Sequence, residues 1–113
     1  MNAFQREPDV RVLFEFNGER KSPVCSGYRP DHLIKHDYLT CGIHDYNGVE
    51  SIAPDGRGYG TICFISPEAY PSCLWIGKRI NIQEGSRIVG YATVLEVLNP
   101  ILEMSELDVL ELS

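Results

Sequence analysis

A β-hairpin is predicted by the stretch Arg79-Ile80-Asn81-Ile82-Gln83-Glu84-Gly85-Ser86-Arg87-Ile88-Val89-Gly90, which continues to Leu98. Ile80 and Ile82 alternate with polar residues, as in a strand with one face on a core. A short loop containing Gly85 then leads into a second β-rich run, which is typical of a hairpin. The residues that share one face of this second run are Val89, Tyr91, Thr93, Leu95 and Val97. Gly90 and Ala92 lie on the opposite face, where the glycine suggests close approach of another backbone.

The rest of the chain shows the same period of two. The residues Val10, Val12, Phe14 and Phe16 alternate with Arg11, Leu13 and Glu15, and a turn is predicted at Asn17-Gly18-Glu19. Another β-rich run, Thr61–Ile65, is bounded by glycines and by Ser66-Pro67. No window before Pro100 has the pattern of a long amphipathic helix. The chain is therefore predicted to be all-β with closed or nearly closed sheets, and composition alone does not separate a barrel from a sandwich.

Length and composition restrict the class of protein. The 113 residues, 43% hydrophobic and 23% charged, are typical of one globular domain. No apolar stretch approaches the length of roughly 20 residues needed to span a bilayer, and the N-terminus lacks a hydrophobic signal core. A cytosolic location is the expectation. The net charge of −6 includes four acidic residues after Pro100 with no basic residue to offset them. This charge argues against independent binding to RNA, which usually needs a basic surface.

Two groups of residues resemble a known family. The first contains Gly18, Arg20, Ser22 and Pro23, followed by Gly27-Tyr28-Arg29-Pro30. The second is Glu84-Gly85-Ser86-Arg87-Ile88-Val89-Gly90. In order and approximate spacing they resemble motifs of the C-terminal β-barrel, the third domain, of the bacterial translation elongation factor Tu family. The resemblance is good at both ends of the chain and poor from about Lys35 to Trp75.

The resemblance implies an architecture and a type of function. It implies a six-stranded Greek-key closed barrel over residues 1–99, followed by a short acidic tail over residues 100–113. In that family the nucleotide-binding machinery belongs to a separate domain, and this chain has no Gly-x-x-x-x-Gly-Lys-Ser/Thr loop. We therefore expect a non-catalytic binding module, associated with translation, that uses no cofactor and binds no nucleotide. The alternative is an interference or immunity-type protein that copies the barrel to occupy a translation factor partner or a toxin.

The candidate partner-binding residues are Tyr28, Arg29, Glu84 and Arg87. In the resembled family the corresponding loops lie at the ends of the barrel and form surfaces for other domains, aminoacyl-tRNA and the nucleotide-exchange factor. A purely structural role is the alternative, in which Tyr28 packs and Arg29 or Arg87 pairs with a carboxylate such as Glu84. Because the chain is acidic, a protein is expected as partner before RNA.

The remaining side chains that could bind a metal or act in catalysis do not form a consistent site. His32, His36 and His44 are interpreted as surface histidines and not as metal ligands, because the region has the pattern of loop and strand. The four cysteines lack Cys-x-x-Cys spacing and are interpreted as free thiols, with Cys63 buried; disulfides or a zinc site are the alternatives. Pro54-Asp55-Gly56 is predicted to be a turn before a strand. The tail residues Leu102, Met104, Leu107 and Leu110 fit a short acidic helix, an edge strand or a loosely ordered tail.

Overall fold

The computed structural model describes residues 7–112 of the chain. Its eight strands are β1 (Val10–Phe16), β2 (Val24–Cys25), β3 (Asp31–Lys35), β4 (Tyr38–Tyr46), β5 (Ser51–Ile52), β6 (Arg57–Phe64), β7 (Arg79–Glu84) and β8 (Arg87–Val97). Two 3-10 turns cover Pro67–Ala69 and Pro100–Leu102, and one short helix, α1, covers Glu106–Leu110. Before Pro100 the described chain thus contains no helix longer than a 3-10 turn, as the sequence predicts.

Six of the strands form a closed barrel. Around the barrel the order is β1, β6, β4, β3, β7 and β8, and β8 pairs again with β1. All six pairings are antiparallel. The two short strands β2 and β5 form a separate antiparallel ribbon. The prediction of an all-β chain with a closed sheet is confirmed.

The core follows the alternation of β1. Val10, Val12 and Phe14 are fully buried, and Phe16 is nearly so, whereas the intervening side chains are more exposed. Ile80 and Ile82 of β7 are also fully buried, as predicted from their spacing. Strand β1 pairs with β6 on one side and with β8 on the other, so these side chains are enclosed by the barrel.

The predicted hairpin is present, but the register of β8 is irregular. Gly85 has a φ of +64°, which a tight two-residue turn between β7 and β8 requires. The register shifts opposite β7 leave Val89 as an extra residue, and those opposite β1 leave Leu95 as another. Between these two bulges, Ala92 and Val94 point into the core. The predicted face of Tyr91 and Thr93 is therefore the outer one in this part of the strand.

Glycines allow two pairs of neighbouring strands to approach closely. A Cβ added to Gly90 would lie 2.7 Å from the carbonyl oxygen of Glu15, so the close approach predicted at Gly90 is confirmed. The contact at Gly60 is tighter, because a Cβ there would lie 2.0 Å from the carbonyl oxygen of Asp45. Side chains at these positions would push β1 away from β8 and β6 away from β4.

The segments after β6 and β8 close one end of the barrel. The backbone of Ser72, Cys73 and Leu74 donates hydrogen bonds to the carbonyls of Ile101 and Leu102, and Leu102 is fully buried in the core. The helix α1 follows, capped by the Ser105 hydroxyl, which accepts from the backbone N–H of Asp108 at 3.2 Å. Of the alternatives for the tail, a short helix is present, but it covers only Glu106–Leu110 and does not include Leu102.

Candidate functional site

The β7–β8 turn places a glutamate and an arginine side by side. Glu84 is the last residue of β7 and Arg87 the first of β8, so they face each other across a two-residue turn. Nη2 of Arg87 donates to Oε1 of Glu84 at 3.0 Å. The Arg87 side chain is 53% exposed and that of Glu84 is 28% exposed. This end of the barrel therefore presents an exposed arginine whose position is restrained by its hydrogen bond to Glu84.

Tyr28 reaches the same glutamate from the other motif. Gly27, with a φ of +100°, turns the chain, and the carbonyl of Tyr28 then accepts from the backbone N–H of His44 at 2.9 Å. The Tyr28 ring packs edge-on against His44, with ring centroids 5.5 Å apart. Its hydroxyl donates to Oε2 of Glu84 at 2.5 Å. The ring thus packs against the barrel core while the hydroxyl faces the surface group.

Arg20 completes the group, and sequence reasoning did not select it. Its Nη1 donates to Oε2 of Glu84, and its guanidinium lies 4.8 Å from the centre of the Tyr28 ring. Only 19% of the Arg20 side chain is exposed. The signal was available, because Arg20 belongs to the first motif that resembles the elongation factor family. We call Arg20, Tyr28, Glu84 and Arg87 the Glu84 cluster.

The charges of the Glu84 cluster are fixed by these contacts. The hydrogen bond from Tyr28, followed by those from the two arginines, lowers the pKa of Glu84, although burial opposes the shift. Burial raises the pKa of Tyr28, and its hydrogen bond to the carboxylate raises it further. The cluster therefore contains two guanidinium cations, one carboxylate and one neutral phenol at neutral pH. A local excess of positive charge and several hydrogen-bond donors result, on a chain whose net charge is negative.

The structure brings together three of the four predicted site residues. Tyr28, Glu84 and Arg87 meet in the Glu84 cluster, and Arg87 provides the carboxylate pairing that the structural interpretation predicted. Arg29 is exposed, between the half-buried Tyr28 and the buried Pro30. Its backbone carbonyl accepts from the thiol of Cys41 at 3.9 Å. Arg29 therefore lies beside β4, in the same segment as Tyr28.

Two of the histidines are not on the surface, and their interpretation as surface residues is wrong. His32 on β3 and His44 on β4 are fully buried, whereas His36 is exposed. Gly42 makes room for the pair, because a Cβ there would lie 3.0 Å from Cε1 of His32. Inward-facing positions of adjacent strands therefore hold imidazoles where an apolar pair would be expected.

The buried histidines form a directed chain of hydrogen bonds. Nδ1 of His32 donates to the carbonyl of Thr40 at 3.2 Å, which leaves Nε2 of His32 as an acceptor. Nε2 of His44 donates to that atom at 2.8 Å, and Nδ1 of His44 accepts from the hydroxyl of Tyr46 at 2.8 Å. Within residues 7–112 no buried side-chain nitrogen or oxygen lacks a hydrogen-bond partner. All four ring nitrogens of the two histidines thus have hydrogen-bond partners with both imidazoles neutral.

Burial keeps both imidazoles neutral. It lowers the pKa of His32 to about 4, and the hydrogen bond to Thr40 opposes the shift only in part. Burial, reinforced by the proximity of His32, holds the pKa of His44 well below its ordinary value. A proton added to either ring would place a charge in the core. On His32 it would occupy Nε2, so two donors would face each other across the 2.8 Å contact. On His44 it would occupy Nδ1, which could then no longer accept from the hydroxyl of Tyr46.

The four cysteines are free thiols, as predicted, and Cys63 is buried. Burial raises the pKa of Cys73, and burial together with Asp31 raises that of Cys41. Because the thiolate is the nucleophilic form, these shifts make both thiols poor nucleophiles and poor metal ligands. Over the described residues, no group of three or more His, Cys, Asp or Glu side chains is arranged to hold a metal ion.

The loop before β6 is a turn, as predicted. Gly56 donates its backbone N–H to the carbonyl of Ala53 at 2.9 Å, and Gly18 donates to that of Pro54 at 2.8 Å. The loop thereby ties the end of β1 to the start of β6. It leads into a strand and provides no helix N-terminus for a phosphate.

No model of a known protein family matches the chain. Among residues 7–112, no helix has the length and apolar character that crossing a membrane demands.

Proposed function

We propose that this chain is a non-catalytic protein-binding module whose contact surface includes the Glu84 cluster and the neighbouring Arg29. The observation that carries the proposal is the convergence of Tyr28 and Arg87 on one carboxylate. The two residues come from segments almost sixty positions apart in the sequence. Their meeting point is an exposed end of the barrel.

The Glu84 cluster is suited to binding because it is preorganised. Tyrosine and arginine are enriched at the energetically dominant positions of interfaces, where large side chains make directed hydrogen bonds. Here Glu84 restrains both residues before any partner arrives, so less side-chain entropy is lost on association. Arg87 keeps half of its side chain exposed and can still donate to a carboxylate or carbonyl of a partner.

The chemistry of the remaining side chains supports a non-catalytic role. The two buried histidines are neutral, donate and accept within the core, and are enclosed by it. The thiols of Cys41 and Cys73 have raised pKa values. These two histidines and two thiols therefore lack the activated forms that a general base or a nucleophile requires.

We further propose a relationship to the third domain of elongation factor Tu, with its Greek-key topology and a role in the bacterial cytosol associated with translation. The support is the two sequence motifs, whose residues Arg20, Tyr28 and Arg87 meet in one group. A closed six-stranded antiparallel barrel is also the architecture expected from that resemblance. Since the net charge is −6, a protein is favoured over RNA as the partner.

The test is affinity capture from a bacterial lysate with the wild-type chain and with the double variant Arg29→Ala/Arg87→Ala. We expect translation proteins to be enriched by the wild type and lost from the double variant. The matched control is Arg11→Ala, which removes another exposed arginine. Nε of Arg11 lies 3.2 Å from Oε1 of Glu96, and Glu96 is at the opposite end of β8 from Arg87. The control should retain the captured proteins.

The outcomes separate the functions. Capture of one toxin or regulator in place of translation proteins would favour the interference protein. Normal capture by a folded double variant would show that the site lies elsewhere. If the double variant melts early while Arg11→Ala does not, the arginines are structural and the proposal fails.

A further inference from the structure

An apolar groove lies at the opposite end of β7 from Glu84. Its volume is about 370 Å³, and its apolar lining consists of Trp75, Ile76, Met104, Val109 and Leu110. Trp75 and Ile76 precede β7, whereas the other three residues belong to α1 and the segment before it. The groove is therefore formed where α1 lies against the chain that enters β7.

The groove and the adjoining segment from α1 to Leu112 expose large apolar side chains. Ile76 is 69% exposed, and Leu107 on α1 is 74% exposed. Exposed leucines also follow at positions 110 and 112. Single exposed apolar residues are common, but a groove with an apolar lining beside further exposed leucines is typical of an interaction site.

The groove is also strongly acidic. Glu103 and Glu106 line it, and Asp108 and Glu111 lie on or next to the same helix. No lysine or arginine occurs after Pro100 to balance these four charges. Lys78 lies over the Trp75 ring, and its Nζ donates to the carbonyls of Ile34 and Cys73. That ammonium is engaged with the barrel, so the acidic rim is left for an external cation.

We infer that this groove binds a basic amphipathic segment of another protein, with apolar side chains in the groove and Lys or Arg against its acidic rim. Charge complementarity selects this occupant. A second copy docked through the same groove would bring two acidic rims together, and RNA or an anionic lipid surface would be repelled. Apolar anchors flanked by charge are a common form of recognition of helices by grooves. The inference goes beyond the proposed function, because it concerns a surface at the other end of the barrel.

The test begins with selection of a displayed library of random peptides on the wild-type chain. Enriched peptides are expected to carry a net positive charge and apolar residues at helical spacing. The best of them is then synthesised and titrated against the chain while the fluorescence of Trp75 is recorded. Trp75 is the single tryptophan and lines the groove, so occupation should shift its emission directly.

Variants at exposed positions then locate the site. Ile76→Ser should weaken binding about tenfold, since it removes one apolar anchor. The double variant Glu103→Gln/Glu106→Gln should weaken binding and reduce its dependence on salt. The matched controls are Val49→Ser and Glu50→Gln, at exposed neighbouring positions in the loop between β4 and β5. Both controls should bind like the wild type.

Several results would overturn the inference. Selection of no peptide, or of neutral or acidic peptides only, would exclude a basic segment as the occupant. Equal binding by Ile76→Ser and Val49→Ser would place the peptide elsewhere. A concentration-dependent dimer of the wild-type chain in analytical ultracentrifugation, lost on Ile76→Ser, would show that a second copy fills the groove. Each variant is checked by its melting temperature, so that loss of binding is not loss of folding.

Discussion

The Nε2 atoms of His32 and His44 lie 2.8 Å apart inside the barrel, and only one of them carries a hydrogen. The two ends of this series of hydrogen bonds set its direction. The carbonyl of Thr40 can only accept, and Nδ1 of His44 accepts from the hydroxyl of Tyr46. Protonation of either buried ring should therefore lower the free energy of unfolding. Stability should consequently depend on pH in a range where few other groups titrate.

We expect the free energy of unfolding to decrease as the pH falls from about 6.5 towards 5. An unfolded histidine takes up its proton near pH 6.5, whereas the folded pKa of His32 is about 4 and that of His44 is also depressed. Between these values the unfolded chain binds more protons, so lower pH favours unfolding, by about 1 kcal/mol per pH unit for each histidine. Urea denaturation at several pH values measures this slope.

His36 provides the matched control for the pH dependence. It is exposed, in contrast to the other two histidines, so His36→Gln should leave the slope unchanged. Equal stability at pH 7 and pH 5 would contradict the buried pair, and a slope abolished by His36→Gln would assign it to the wrong histidine.

Tyr46→Phe should destabilise the fold, because it removes the donor to Nδ1 of His44 and leaves a buried acceptor without a partner. The expected loss is about 1–3 kcal/mol. Tyr59→Phe is the same chemical change at a position that is 55% exposed and should have little effect. Thermal melts of both variants give the comparison, and a similar loss for both would show that the hydroxyl of Tyr46 does not support the histidine pair.

Gly60→Ala should be much more damaging than Gly58→Ala, although both positions lie on β6 and pair with β1. A Cβ at Gly60 would lie 2.0 Å from the backbone of Asp45, which cannot yield without parting β6 from β4. A Cβ at Gly58 would meet only the end of the Ile52 side chain at 3.0 Å, which can rotate. We expect a loss of about 3 kcal/mol or more at Gly60 and about 1 kcal/mol or less at Gly58. Chemical denaturation with equal midpoints for the two variants would refute the close contact.

Within the Glu84 cluster, Arg20→Ala should cost more stability than Arg87→Ala. Arg20 is largely buried and stacks on Tyr28, whereas Arg87 is half-exposed and its ion pair is screened by water. A loss of about 1–2 kcal/mol is expected for Arg20→Ala and below about 1 kcal/mol for Arg87→Ala. Calorimetric melting of both variants tests this order, and the reverse order would mean that Arg87 is the structural residue.

The sequence predicts strands well where hydropathy alternates without interruption. On β1 the four residues at alternate positions, Val10, Val12, Phe14 and Phe16, all face the core, and the two isoleucines of β7 do the same. On β8 the bulges at Val89 and Leu95 break the alternation, because each adds a residue that the partner strand does not match. An alternation of period two does not anticipate such an insertion. Val89 is therefore buried, whereas Tyr91 and Thr93, which were predicted to share its face, are more exposed.

The burial of His32 and His44 was not predicted, for a different physical reason. On β4 the inward residues are Thr40, Gly42, His44 and Tyr46, while the apolar Ile43 lies on the more exposed face. The pattern of that strand is therefore the reverse of what hydropathy indicates. Its polar inward residues are tolerated because they satisfy one another across strands, and such pairing is visible only once the register is known. In contrast, Tyr28, Glu84 and Arg87 were predicted as candidate site residues from motif resemblance, which needs only the order and spacing of residues and no knowledge of the register.

The pairing of β1 with β8 has a consequence for the synthesis of this protein. Strand β1 is synthesised before β8, so one of its two hydrogen-bonding edges has no partner until the chain has been made as far as Val97. Until then a nascent chain presents an open edge lined with valine and phenylalanine, the kind of edge that recruits other chains. A premature stop codon anywhere before β8 is therefore expected to yield aggregates, and not a smaller folded barrel.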